Sequence, residues 1–128
     1  MNADFTQLDV WKKSHQLMIK IYEFARLLPR EEKYNRYDQI IRSVSSISAN
    51  ISEGSGRWYY LENISFCRIA RGSLFETKNH LIAIRDLKQA DRKICDDLID
   101  DCDRIRQILN GYIRFLKIQK VGKEEIDE

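Results

Sequence analysis

Arg92-Lys-Ile-Cys-Asp-Asp-Leu-Ile-Asp-Asp-Cys-Asp-Arg-Ile-Arg-Gln-Ile-Leu-Asn-Gly-Tyr-Ile-Arg-Phe-Leu-Lys-Ile-Gln119 is the stretch whose reading sets the fold class. Within it Ile94, Leu98, Cys102, Ile105, Leu109, Tyr112 and Leu116 follow one another in steps of four and three. That repeat of seven is the seam of a helical bundle or coiled coil, and no strand has such a period. Asp96 and Asp97 stand near the helix start and Lys117 and Lys120 near its end, where the helix dipole favours acids and bases respectively. Asp91 is a suitable N-cap.

Working outward, three earlier segments share the period. Val10, Leu17, Ile21, Phe24 and Leu28 form one stripe, flanked by Trp11, Met18, Tyr22 and Ala25, and Pro29 ends it. Tyr37, Ile40, Ile41, Val44, Ile47 and Ile51 form a second, interleaved with the small residues of Ser43-Val-Ser-Ser-Ile-Ser-Ala49. Serine is a mediocre helix former, so this run points to the close approach of a neighbouring helix. Gly54-Ser55-Gly56 reads as the C-cap. Ile64, Cys67, Leu74, Leu81 and Ile84 form the third, widened by Phe66, Ile69 and Ala70, with Gly72-Ser73 as a weak point or a place of close packing. The helices fall at about 8–28, 34–53, 59–87 and 91–119, with residues 120–128 as a frayed tail. Four long helices joined by short turns predict one all-α domain over residues 1–128, an antiparallel up-down four-helix bundle. Trp11, Trp58, Tyr59, Tyr60 and Phe115 exceed what such a core needs and suggest a subunit interface, hence a homo-oligomer.

The chain of 128 residues has 22 basic and 20 acidic side chains, a net charge of +2, which by itself implies no partner. The charge is nonetheless segregated. Residues 57–93 hold eight bases and four acids, residues 95–103 five aspartates, residues 104–120 five bases and no acid, and residues 124–128 four acids. Cys67, Cys95 and Cys102 are odd in number and lack Cys-x-x-Cys spacing, so they read as small buried side chains in a reducing compartment. There is no secretory leader and no run of about 18 apolar residues, so the expected location is the cytoplasm, away from any membrane.

A search for chemistry finds no catalytic residue, cofactor motif or metal set. His15 stands alone, and Glu76 four residues before His80 is a single pair, whereas a di-iron bundle needs two Glu-x-x-His repeats. Gly54-Ser55-Gly56-Arg57 lacks the Gly-Lys-Ser/Thr ending of a phosphate loop and follows a helix. Asp96, Asp97, Asp100, Asp101 and Asp103 follow helical spacing, not a calcium loop. The third helix is different. Arg71, Lys78 and Arg85 recur every seven residues, with Arg68 one turn earlier, and Lys88, Arg92 and Lys93 continue the charge. Such a face is either solvated and paired with acids such as Glu76 and Asp86, or it neutralises successive phosphates.

Gln39-Ile-Ile-Arg-Ser-Val-Ser-Ser-Ile-Ser-Ala-Asn-Ile-Ser-Glu-Gly54 resembles the bacterial four-helix-bundle family encoded by intervening sequences in 23S rRNA genes, which includes the accessory variability proteins of diversity-generating retroelements. Leu8-Asp-Val-Trp-Lys-Lys13, Arg57 and Phe66-Cys-Arg-Ile-Ala-Arg-Gly-Ser-Leu-Phe-Glu76 extend the resemblance over about residues 5–118. Serine at 48 replaces a frequent proline, and Leu87-Lys-Gln-Ala-Asp91 replaces a Leu-Gly-Tyr-Ile turn. The resemblance implies an antiparallel bundle assembled as a homopentamer, without enzyme activity. In the retroelement branch it implies an adaptor for nucleic acid and a reverse transcriptase. Arg42, Asn50, Glu53 and Arg57 lie near the small-residue face of the second helix and are read as a buried polar network fixing helix register or a subunit joint. The expectation is therefore a non-catalytic oligomeric bundle that binds RNA or DNA through Arg68, Arg71, Lys78 and Arg85, with Lys12 and Lys13 as a second patch. The alternative is a protein-interaction adaptor without nucleic-acid affinity.

Overall fold

In the computed structural model, the described residues are 4–127, with side chains described through residue 120. They form four α-helices, α1 (Asp9–Ala25), α2 (Arg36–Ser55), α3 (Tyr60–Asp86) and α4 (Arg92–Asp127), with single 3-10 turns at Phe5–Gln7 and Arg30–Glu32 and no strand. The helix ends follow local chemistry. The α1 helix stops at Ala25, before the expected 28, because the amides of Leu27 and Leu28 turn back on the carbonyls of Phe24 and Ala25 at 3.0 and 3.1 Å ahead of Pro29. The end of α3 is a Schellman turn: the Gln89 amide donates to the Ile84 carbonyl at 3.0 Å and the Lys88 amide to Arg85 at 3.1 Å. Lys88 takes the left-handed position usually given to glycine, with φ 57°. Asp91 caps α4 by accepting from the Ile94 amide at 3.1 Å. The expected end of α4 near 119 is too early, since its helical backbone continues to Asp127. The side chains from 121 onward, where the fraying was expected, lie outside the described residues.

Each helix packs on its sequence neighbours and α1 also packs on α4, which closes a ring of four. The α2–α3 contact is the most extensive and α1–α4 the least. The core takes Leu17, Ile21 and Phe24 from α1, Ile40, Val44, Ile47 and Ile51 from α2, and Ile64, Leu74, Leu81 and Ile84 from α3. The α4 seam differs at two positions from the expected one. Ile94 is 42% exposed and Cys95 is buried in its place, while Tyr112 is half-buried and Ile113 points inward. Ile94 stands eight residues before Cys102, in two steps of four, whereas Cys95 stands seven before it and so holds the repeat; Leu116, the last residue of the seam, is buried.

The serine run of α2 now has a reason. Thr77 donates to Ser43 Oγ and Ser73 to Ser46 Oγ, both at 2.9 Å, so paired hydroxyls bridge the tightest helix contact. Gly72 meets nothing within 4 Å on an exposed face, so the close packing expected at Gly72-Ser73 belongs to Ser73 alone.

Candidate nucleic-acid interface

The basic stripe of α3 is largely occupied by α4. Arg85 Nη1 donates to Asp96 Oδ1 at 2.9 Å, Lys78 Nζ to Asp103 Oδ1 at 2.7 Å and Arg71 Nη1 to Asn110 Oδ1 at 2.9 Å. Each step of seven down α3 meets a step of seven up α4. Arg85 is also bound to Asp86 at 3.0 Å, and the hydrogen bonds to Asp86 and then Asp96 raise its pKa above the ordinary arginine value. Lys78 and Arg85 therefore clamp the register of two helices: carboxylates already stand opposite these two of the four α3 bases expected to meet phosphates.

The ladder changes character along its length. On α4 the series Asp96, Asp103, Asn110, Lys117 runs from acid through amide to base. The segments flanking the Arg71–Asn110 bond carry no acid: residues 63–75 of α3 and 104–120 of α4 contain neither aspartate nor glutamate. Arg68 stands one turn from Arg71, and Arg106 and Arg114 stand one turn either side of Asn110. Residues three or four apart on a helix are neighbours, with Cβ atoms about 5–6 Å apart. Lys117 extends the group by a further turn. Arg68, Arg114 and Lys117 are exposed and Arg106 half-buried. These four form no ion pair among the described residues. Arg106, Arg114 and Lys117 were missed in the sequence because they sit on the other helix, although the acid-free run 104–120 was visible.

Lys12 and Lys13 are exposed on α1, apart from this group. Lys13 lines a shallow α1–α4 groove of about 220 Å³ together with Lys20 and Arg104, but Asp101 pairs there with Lys20 at 3.1 Å and Arg104 at 3.8 Å.

The four polar residues of the second helix do not assemble into a buried network. Arg42 is exposed, and Asn50 turns back on the Ser46 carbonyl and hydroxyl at 2.8 Å each. Arg57 pairs with Glu53 at 3.1 Å in an exposed bridge and lies 4.8 Å over the Phe66 ring. Spacing placed them on one face, but that face is turned to solvent, where each polar group finds its partner within a turn or in water. Gly54 has a packing role: a Cβ there would stand 2.6 Å from Asn63 Oδ1 and 2.9 Å from Phe66 Cβ.

Beside that crossing lies a cleft of about 460 Å³ between the α2–α3 turn and late α4, walled by Tyr59, Tyr60, Tyr112 and Phe115 with the amides of Asn63 and Gln119. Tyr112 and Phe115 present rings 6.4 Å apart and only 16° from parallel. Asn63, buried, donates to Tyr112 Oη at 3.4 Å. Burial pushes the Tyr112 phenol above its ordinary pKa, an effect the Asn63 bond opposes. Of the five surplus aromatics, Tyr59, Tyr60 and Phe115 gather here, and Trp58 is 63% exposed next to them. Trp11 is elsewhere, stacked on His15 with centroids 4.7 Å apart.

The remaining reactive groups are structurally engaged. His80 is buried, with Arg36 Nη1 2.8 Å from Nδ1 and Glu76 Oε2 3.3 Å from Nε2, and so ties the start of α2 to α3. All three thiols are free and buried. Burial pushes those of Cys67 and Cys102 up to about 12, so they stay protonated and poor as nucleophiles at neutral pH. Among the described residues no group of three or more His, Cys, Asp or Glu side chains is placed to hold a metal ion, and no helix is long and apolar enough to cross a membrane.

Residues 6–111 match the family model of the 23S rRNA-intervening sequence protein. No curated protein matches the chain. Among solved structures it is similar to the crystal structure of a protein with unknown function from the S23 ribosomal protein family of Bacteroides thetaiotaomicron VPI-5482. That likeness has a TM-score of 0.76 and 27% identity over 81% of this chain and 97% of the other.

Proposed function

We propose that this chain, which belongs to the 23S rRNA-intervening sequence protein family, is a non-catalytic scaffold that binds RNA or DNA through phosphate contacts. The observation that carries this is the acid-free cation group around the Arg71–Asn110 bond: Arg68 and Arg71 on α3 with Arg106, Arg114 and Lys117 on α4. Arginine-rich faces on rigid helices suit phosphate oxygens, which need charge and donors but no base-specific geometry. The proposed scaffold is an up-down antiparallel bundle, supported by the opposite running of the α3–α4 ladder. It works in the cytoplasm without a cofactor. It assembles with copies of itself, as a pentamer on its resemblance to the family, and the retroelement branch adds a reverse transcriptase as a protein partner.

The second reading, a protein adaptor without nucleic-acid affinity, draws on Leu61, Ile69 and Phe75, which are 57%, 53% and 51% exposed along the outer side of α3. Anisotropy of labelled RNA and DNA oligonucleotides at low salt separates the two. Binding that Arg114→Glu with Lys117→Glu abolishes, with the oligomer intact, supports the first. Absence of any binding at low salt leaves the adaptor.

A further inference from the structure

We infer that the nucleic acid is single-stranded, and that the aromatic cleft at the α2–α3 turn takes one of its unpaired bases. This rests on the nucleic-acid reading above and adds to it the form of the ligand. The cleft and the cation group share one end of the molecule, since both use the start of α3 and the late half of α4. Arg114 and Phe115 are successive residues and point about 100° apart around α4, and Lys117 lies one turn on from Arg114 on the α3 side. A strand whose phosphates lie on Arg68, Arg71, Arg114 and Lys117 therefore reaches the mouth of the cleft by crossing the outer face of α4.

The cleft offers what a free base needs. Its volume of about 460 Å³ falls within the roughly 300–1,000 Å³ of pockets that hold small molecules. Phe115 and Tyr59 are 52% and 64% exposed, so flat aromatic faces are available at the lip. Tyr112 is held by Asn63, which keeps its ring in place beside Phe115. Asn63 Oδ1 accepts from the Cys67 thiol at 3.6 Å and one of its N–H groups goes to Tyr112, so its second N–H and the Gln119 amide remain in the lining for a base edge. Every base has a π-face, so such a site is tolerant of sequence. A duplex keeps its bases stacked inside and would have to flip one out to use the cleft.

The experiment compares a labelled 12-nucleotide single strand with its duplex at low salt, using the full chain, Phe115→Ala and Phe115→Leu. The expected result is at least tenfold tighter binding of the single strand. Loss of the ring in either variant should weaken it by about 5- to 100-fold, the range of one stacked base, with duplex affinity and oligomer mass unchanged. Phe115 is half exposed, and the leucine variant keeps apolar bulk, so an unchanged helical circular dichroism spectrum is expected from both. Equal binding of single strand and duplex, or full single-strand affinity in Phe115→Leu, overturns the cleft as a base site and leaves the nucleic-acid reading standing. A changed oligomer mass in Phe115→Ala also overturns it, by making the cleft a contact between copies. No binding of either form overturns both readings.

Discussion

Gly54 shows how a residue's local reading and its role in the packed molecule differ. In sequence it looks like the beginning of a helix-ending turn, yet no glycine among the described residues has a positive φ, and the C-cap Gly56 sits at φ −80°. What holds position 54 to glycine is the approach of α3, with Asn63 and Phe66 where a Cβ would be. Asn63 Oδ1 is the end of a side chain, but Phe66 Cβ is fixed to its helix, so relief requires α2 and α3 to separate. Gly54→Ala is expected to cost about 1–3 kcal/mol, the usual range for overpacking. Gly111 has open space at the same test, so Gly111→Ala should gain about 0.5–1 kcal/mol by helix propensity. Urea denaturation midpoints of the two variants should move in opposite directions. A midpoint for Gly54→Ala equal to that of the parent would mean the crossing is looser than its distances.

At the scale of elements, the periods of single helices were legible and their mutual register was not. Leu98, Cys102, Ile105, Leu109 and Leu116 turn inward as the seven-residue repeat requires, whereas Ile94, one residue off that repeat, is exposed and Tyr112 is half-buried. The α3 bases and α4 acids were both visible as stripes. Their pairing was not recognised because a stripe records a face, not the helix it meets. A signal did exist: Arg71, Lys78 and Arg85 mirror Asn110, Asp103 and Asp96 about the turn at Lys88–Asp91. The cleft was hidden for a related reason, since Tyr59 and Phe115 are 56 residues apart and only packing brings them together. The ladder implies a separation of effects. Lys78 and Asp103 keep side-chain exposures of 32% and 36%, so solvent screens the pair and it contributes about 0.2–1 kcal/mol. Lys78→Met should lower stability by that amount and leave oligonucleotide affinity within about twofold. The exchange of Lys78→Asp with Asp103→Lys should recover the stability. If Lys78→Met weakened binding as much as Arg114→Glu does, the α3 stripe would be a contact surface after all.

For the whole molecule the balance of 22 basic against 20 acidic residues makes net charge a poor guide to affinity. A charge of +2 steers a polyanion only weakly from a distance, and salt screens that attraction within about 10 Å at 0.1 M. Contact at the cation group is another matter, because each phosphate neutralised there releases condensed counterions whatever charge lies on the far side of the bundle. Among the described residues three aspartates of α4 are paired: Asp96 and Asp103 in the ladder, Asp101 between α1 and α4. The salt dependence should therefore report the local group rather than the total. Single strands release about 0.7 counterions per phosphate, so full use of the five cations gives a slope of log K against log salt of about −3.5 for each protomer engaged. Arg114→Glu should flatten that slope by about one, and Lys12→Glu with Lys13→Glu should leave it unchanged unless the strand continues onto α1. A slope near zero with measurable affinity would place the binding energy in the aromatic surface, and the charged face would then serve only to hold the helices in register.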